Sequence, residues 1–519
     1  MGENNLVLTF IRKLIEDMEK KLGQLAEVKT FHAYCKKLLH QKNRRIELVP
    51  YLTKIIESDS KNLGYGLSDF DAKFQVLDES SREIRFYLER GRYYEVVSFN
   101  DSVYIVLKAI RNGDIELPKF NQIVIDEYQD FNPLEVAFID QLQKYGNILI
   151  VGDDDQAIYT GRNSSAVHLR QKYHSGNYKL FDLPFCSRCP SVIVDAVNGF
   201  IKNTQINGLL KDRIPRPFSP FLEDKREIND RYPKIITANI SMLPTISQYI
   251  KTEIAKIPSE DISDSWEEGE EYPTVLIVGR SHYIREIHKG LKSDYPFAKL
   301  VTSETAEYSL PDGYEMLLRQ EDSNLGWRIL AEILLDPKKY GEILRQTIKH
   351  NRIVELIPSK FVSKHKRVIE LLRQKQVMSE VKQDLKGLLG ENYNIVADRF
   401  FAEEQKEEPA NKTMPSVLLT SFQGCKGLSG GHVFIVGAND GDIPKLNPKN
   451  GVSDVECCKF TVALTRTRRC CHILSNKWLN NPKTKDNKWA KNFQPTRFLK
   501  MIPRRNLEDR GYIKSSNLR

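Results

Sequence analysis

The chain has 519 residues, 40% of them hydrophobic and 28% charged, so it can bury three or four separate cores and is too apolar to be disordered. Its net charge of +9 lies wholly in residues 475–519, where 12 Lys and Arg face 3 Asp and Glu, while the other 474 residues balance at 66 against 66. The apolar run 6–11 stops at Arg12, too short for a signal core or a membrane span, and position 6 is Leu where myristoylation needs Ser or Thr. A cytoplasmic protein with no membrane partner is expected.

In chain order, short β-branched runs at 6–10, 122–125, 147–151, 275–278, 416–420, 433–436 and 472–474 predict strands. Several are apolar on both faces, as in parallel sheets covered by helices, which predicts an α/β fold. Segments 41–114 and 306–409 lack such runs and predict helical insertions, with helices at 324–335, 340–350 and 364–372. The acidic, Ser-containing stretch 259–271 predicts an exposed loop. In the basic tail, Trp489, Phe493 and Phe498 interleave with Lys and Arg, which suits either a surface that tracks a phosphate backbone or aromatics packed on the last domain.

Eight cysteines, Cys35, Cys186, Cys189, Cys425, Cys457, Cys458, Cys470 and Cys471, are too sparse for a disulfide framework and predict free thiols. The pairs 186/189, 457/458 and 470/471 could form a zinc site, but their segments read as strand and helix, which favours small buried hydrophobes.

The chemistry concentrates in two strand ends. Residues 123–130 read Ile-Val-Ile-Asp-Glu-Tyr-Gln-Asp, which places Asp126 and Glu127 at the carboxyl edge of a strand. The first can hold Mg²⁺ and the second can polarise an attacking water. Residues 147–159 repeat the plan: an apolar strand, Gly152, three aspartates and Gln156, whose neutral amide can sense a terminal phosphate.

These two segments resemble motifs II and III of UvrD/Rep-like superfamily 1 helicases, and other motifs of that family follow in order. Leu183 to Pro190, with Arg188, is similar to motif IV. Ser421 to Leu428, with Lys426 and Gly427, then 433–436 and 439–444, resembles motif V, and Thr461 to Arg466 resembles motif VI. Upstream, Leu8-Thr9-Phe10 with Lys13 resembles motif Ia, and 29–34, with Thr30, Phe31 and His32, resembles Ib. The resemblance covers essentially the whole chain.

It implies two RecA-like P-loop NTPase motor domains, 1A at 1–40 and 115–180 and 2A at 181–305 and 410–519, with helical insertions 1B at 41–114 and 2B at 306–409. It implies ATP and Mg²⁺ as cofactors and 3′ to 5′ translocation on single-stranded DNA, with unwinding of duplex junctions in repair, recombination or defence. Asp126 would ligate Mg²⁺, Glu127 would act as base, Gln156 would read the γ-phosphate, and Arg188 and Arg466 would act as arginine fingers. Lys426 and Gly427 would help to bind the nucleotide. Thr9, Phe10, Thr30, Phe31, His32, Tyr159, Arg162, Ser421 and Lys426 would line the DNA groove, although a core role competes for Phe10 and Phe31.

The sequence departs from the family most at its start. Family members place a strand, a GxxxxGKS/T loop and a helix before motif Ia, but here motif Ia arrives at Thr9 and no such loop occurs elsewhere. The expectation is a chain poor at ATP hydrolysis, truncated ahead of Met1 or completed by an upstream-encoded P-loop fragment, with an unfilled position in the first sheet and low stability alone. The rival reading is a non-catalytic DNA-binding subunit that partners a nuclease or another motor. Gly161 stands where family motif III carries a stacking aromatic, Ser429 where motif V is acidic, and Thr461 where motif VI has Tyr.

Overall fold

The computed structural model describes residues 4–9, 14–42, 46–221, 225–269, 272–302, 307–374, 379–401, 412–448, 451–479 and 492–518. Phe10, Lys13 and Trp489 lie outside these ranges. The first half forms β1 (Asn5–Thr9), β2 (Glu27–Thr30), β3 (Glu47–Leu48), β4 (Val96–Val97), β5 (Phe120–Ile125) and β6 (Gly146–Ile150). The second half forms β7 (Phe185–Cys186), β8 (Ser219–Pro220), β9 (Ile235–Met242), β10 (Val275–Val278), β11 (Lys299–Val301), β12 (Val417–Thr420), β13 (Gly430–Val436), β14 (Thr467–Trp478) and β15 (Leu507–Ile513).

A four-stranded parallel sheet runs β2-β1-β5-β6. Leu6 sits beside Ile123 and Leu8 beside Ile125, and all four are buried on one face. Period-two alternation puts them there together, and burying four such side chains contributes on the order of 1.5–3 kcal/mol each. Their core is continuous with that of the helical residues 49–110 and takes in Leu325 and Ile329 from a helix far downstream, Asn324–Leu334.

The second sheet has seven parallel strands in the order β11-β12-β10-β13-β14-β9-β15. β10, β12 and β13 are buried along their whole length, which explains the apolar runs 275–278, 417–419 and 433–436. Separate cores form on its two faces. A fourth core belongs to helices within 310–396. Those helices join the first insertion through a buried ionic cluster in which Asp59 accepts from Arg90 at 2.8 Å, Arg328 at 2.9 Å and Tyr94 at 2.5 Å. Removing one partner from such a cluster would leave a buried charge unpaired.

Two expectations need correction. Residues 259–268 form a helix, not an exposed loop, because Asp261 is buried and held by Tyr232 at 2.7 Å, His432 at 3.0 Å and Arg469. The insertion 41–114 is not strand-free, since β3 pairs with β4. The tail is a structural part of the second unit: Phe498 is core and β15 is the edge strand beside β9.

Candidate functional site

The carboxyl ends of β5 and β6 open toward the second unit. Asp126 follows β5, its backbone N–H donating to Leu8 at 2.9 Å and its carboxylate accepting from the Thr9 hydroxyl at 3.3 Å. Burial, reinforced by the Glu127 charge, pushes the Asp126 carboxyl up to about 6. A partly buried carboxylate beside a hydroxyl suits Mg²⁺, which takes one or two carboxylates and completes its shell with water and phosphate.

Glu127 has a φ of +56°, a conformation costly for a side-chain-bearing residue. It is held there because the next N–H, of Tyr128, donates to Val151 at 3.0 Å and Gln129 donates to the Glu127 carboxylate at 2.5 Å. Gln129 also accepts from the Asp153 N–H at 2.9 Å, tying together the turns after β5 and β6. Gln156 donates to Asp153 at 2.7 Å. The two strand ends thus form one rigid unit.

The second unit supplies the cations. Lys426, buried in the turn after β12, pairs with Glu127 at 3.0 Å and with Asp130, and donates to the Gln156 carbonyl at 3.3 Å. Burial pushes Asp130 up to about 7 against the opposing pull of Lys426. Gly427 follows at φ +83°, a left-handed position that glycine fills without strain. Arg466, at the end of the helix Asp454–Leu464, is buried yet donates only to neutral oxygens, those of Val462 at 3.0 Å, Leu428 at 3.2 Å and Thr465 at 3.3 Å. Among the described residues no carboxylate pairs with it, and burial with the nearby Arg188 charge lowers it to about 10. An uncompensated buried guanidinium favours an incoming anion. Arg188 is exposed and reaches the Thr465 carbonyl at 3.5 Å.

The residues expected in a DNA groove divide. Thr9 is fully buried on Asp126, Phe31 is 1% exposed among Phe131 and Phe138, and Lys426 is enclosed by its ion pairs. In this structure packing and charge pairing enclose these three side chains. His32 and Arg162 both approach Glu135, at 3.7 and 3.2 Å, and line one cleft of about 670 Å³ with Gly161, Phe99 and Gln75. Burial, then Arg162, lowers His32 to about 3, so it is neutral. The same cleft carries Glu57, Asp69 and Asp71, which would repel a phosphate backbone along that wall. Tyr159 donates to the Gln423 carbonyl at 3.0 Å, with Lys426 over its ring at 5.7 Å. Ser421 caps its own turn by accepting from Gly424 at 3.0 Å, and the Thr30 hydroxyl accepts from Ala33 at 3.1 Å.

Sequence reasoning gave Gln129, Asp130 and Asp153 no role, although each organises the site; their place inside the quoted strand-end motifs was the available signal. The three aspartates 153–155 form the one carboxylate, His or Cys cluster of metal-binding size among the described residues, but arginines hold them: Arg170 on Asp154 at 2.9 Å, Arg213 on Asp155 at 2.8 Å and Arg216 on Asp153 at 2.5 Å. That turn braces the two units.

The architecture is that of two RecA-like α/β units meeting at their strand ends, carboxylates on one side and arginines on the other. The family model of the UvrD/REP helicase N-terminal domain matches residues 83–175. The chain is 26% identical over 247 residues to the ATP-dependent DNA helicase PcrA of Staphylococcus aureus, covering 38% of this chain and 34% of that one. It is 22% identical over 242 residues to the ATP-dependent DNA helicase Rep of Buchnera aphidicola, covering 38% and 36%. It is 28% identical over 174 residues to an ATP-dependent helicase/nuclease subunit of Clostridium novyi, covering 31% and 13%. A solved structure of S. cerevisiae Dbp5 bound to RNA and ADP BeF3 aligns with 99% of this chain and 78% of its own at a TM-score of 0.31 and 9% identity. Together with the ordered motifs, the family-model and helicase sequence matches make this chain similar to UvrD/Rep-like helicases over these segments. It spans about a third of the length of PcrA and Rep.

Proposed function

We propose that the chain is the body of an ATP-dependent translocase on single-stranded DNA, moving 3′ to 5′ and opening duplex junctions in repair, recombination or defence. The domain limits are those given above for 1A, 1B, 2A and 2B. The observation that carries the reading is Arg466, a buried cation without a carboxylate partner among the described residues, on the far side of the cleft from Asp126 and Glu127.

In this reading Asp126 would hold Mg²⁺, which would supply positive charge against the phosphates. Glu127 takes the proton of the attacking water, and Gln156 orients that water. Arg466 and Arg188 approach the transferring phosphate when the two units close. Glu127 must first leave Lys426, so the ion pair acts as a latch on the base. Tyr159, Arg162 and Ser421 contact DNA.

The GxxxxGKS/T cradle is not among these 519 residues. A strand–loop–helix unit on the outer edge of β6, where Leu149 is 45% exposed, would supply it. These 519 residues alone should hydrolyse ATP poorly. In a form completed by such a loop, Glu127→Gln should abolish DNA-stimulated hydrolysis while DNA binding persists, and unchanged turnover would refute the assigned base. The absent loop and the relative named as a helicase/nuclease component support a second reading, a DNA-binding protein that works beside a nuclease. DNA binding with no stimulated hydrolysis in the completed form would favour it.

A further inference from the structure

Seven of the eight cysteines are buried; Cys186, at the end of β7, alone is partly exposed. Three residues on, Cys189 is buried just ahead of the helix Ser191–Ile206, and the chain folds back so that the Cys189 N–H reaches the Cys186 sulfur at 3.5 Å. The Cys189 thiol also donates to the Thr465 carbonyl at 3.3 Å, the same oxygen that Arg188 reaches. Lys225 steadies the loop by donating to the Arg188 carbonyl at 2.7 Å. The Cys189 thiol and N–H, with Arg188, draw the Cys186 thiol down to about 6, whereas its bond to Cys186 and burial push Cys189 well up. Elsewhere burial pushes the Cys35, Cys425, Cys457, Cys458, Cys470 and Cys471 thiols up. One nucleophilic, reachable sulfur therefore stands against one buried resolving sulfur, with Arg188 between them.

We propose that Cys186 and Cys189 are a dithiol site for low-molecular-weight disulfides, which oxidise the pair to an intramolecular disulfide bracketing Arg188. The Cys186 thiolate attacks one sulfur of the small disulfide, forms a mixed disulfide and expels a thiolate. Cys189 then gives up its proton, attacks the Cys186 sulfur and expels the second small thiol. Two protein thiols lose two electrons, and one small disulfide becomes two thiols. Oxidation removes the S–H that Cys189 donates to Thr465. On the functional reading above, the disulfide would restrain Arg188, and the segment leading into Arg466 would lose one of the two donors at the Thr465 carbonyl.

The chemistry is testable without any activity assay. The 519-residue chain is equilibrated with oxidised and reduced glutathione, quenched with acid and digested with trypsin. Cleavage after Arg188 divides the two cysteines between peptides 180–188 and 189–202. The proposal expects these peptides to run as one disulfide-linked species after oxidation and to separate on reduction, with the other six cysteines reduced. Cys189→Ser should stop at a glutathione adduct on Cys186. Peptides that stay separate in oxidised buffer, or oxidation falling on other cysteines first, would overturn it. Zinc retained by the purified chain and blocking the reaction would do the same. None of these outcomes depends on whether the chain moves on DNA.

Discussion

The two sheets are built from the same kind of strand but are completed differently. In the second, β10 lies between β12 and β13, and Val275, Leu276, Ile277 and Val278 are all buried. In the first, β6 has β5 on one side and no strand on the other among the described residues, so Ile148 and Ile150 are only partly buried and Leu149 is exposed. The second unit therefore carries its own core, whereas the first draws on the helical insertions and keeps an apolar edge open. The cleft repeats the contrast. The first unit's Glu127 and Asp130 have a cationic partner in Lys426 of the second unit, while Arg466 in the second has only neutral ones.

The largest expected effect comes from the bond between the two sides. Lys426→Met strips Glu127 and Asp130 of their buried partner and should cost about 3–5 kcal/mol in urea unfolding, with much of the loss recovered on adding Asp130→Asn. A loss below about 1 kcal/mol would mean that the carboxylates are satisfied without it. Next comes the contrast of the sheets themselves. Ile277→Ala should cost about 2–5 kcal/mol and Leu149→Ala less than about 1 kcal/mol, and equal losses would show that β6 is covered in solution. If the two units unfold separately, each transition must be followed with its own probe.

The smallest effect is a pH dependence. Burial pushes Asp101 up to about 7, although its carboxylate accepts from the Ser98 N–H at 2.8 Å. Between the unfolded carboxylate range near pH 4 and pH 7, the folded chain keeps a proton that the unfolded chain releases. Stability from this group is thus present at low pH and lost as pH rises through that window. Asp101→Asn, which still accepts from Ser98, should match the parent at pH 4 and exceed it at pH 8 by on the order of 1 kcal/mol. A gain confined to low pH would reverse the sign and refute the assignment.

What the sequence disclosed follows from how local each signal is. β1, β5, β6 and β10 were legible because their apolar runs are continuous. β9 was not, because Thr237, Asn239 and Ser241 interrupt it, and the Thr237 hydroxyl bonds the Asp509 carboxylate at 3.3 Å on β15, far along the chain. The helix Ser259–Glu268 was hidden for the same reason, since the partners of Asp261 include His432 and Arg469. In the site, Asp126, Glu127, Gln156 and Arg466 stood out by residue type at strand and helix ends. The burial of Thr9, Phe31 and Lys426 did not, because it depends on neighbours that only the fold brings together.

The proposed grip on single-stranded DNA can be measured by fluorescence anisotropy of the 519-residue chain with labelled single-stranded oligonucleotides across a salt series. Binding is expected at about 50 mM salt with little base preference, and a logarithm of affinity that falls linearly with the logarithm of salt concentration, at a slope of about 0.7 per phosphate contacted. No binding at that salt, or binding indifferent to salt, would contradict it.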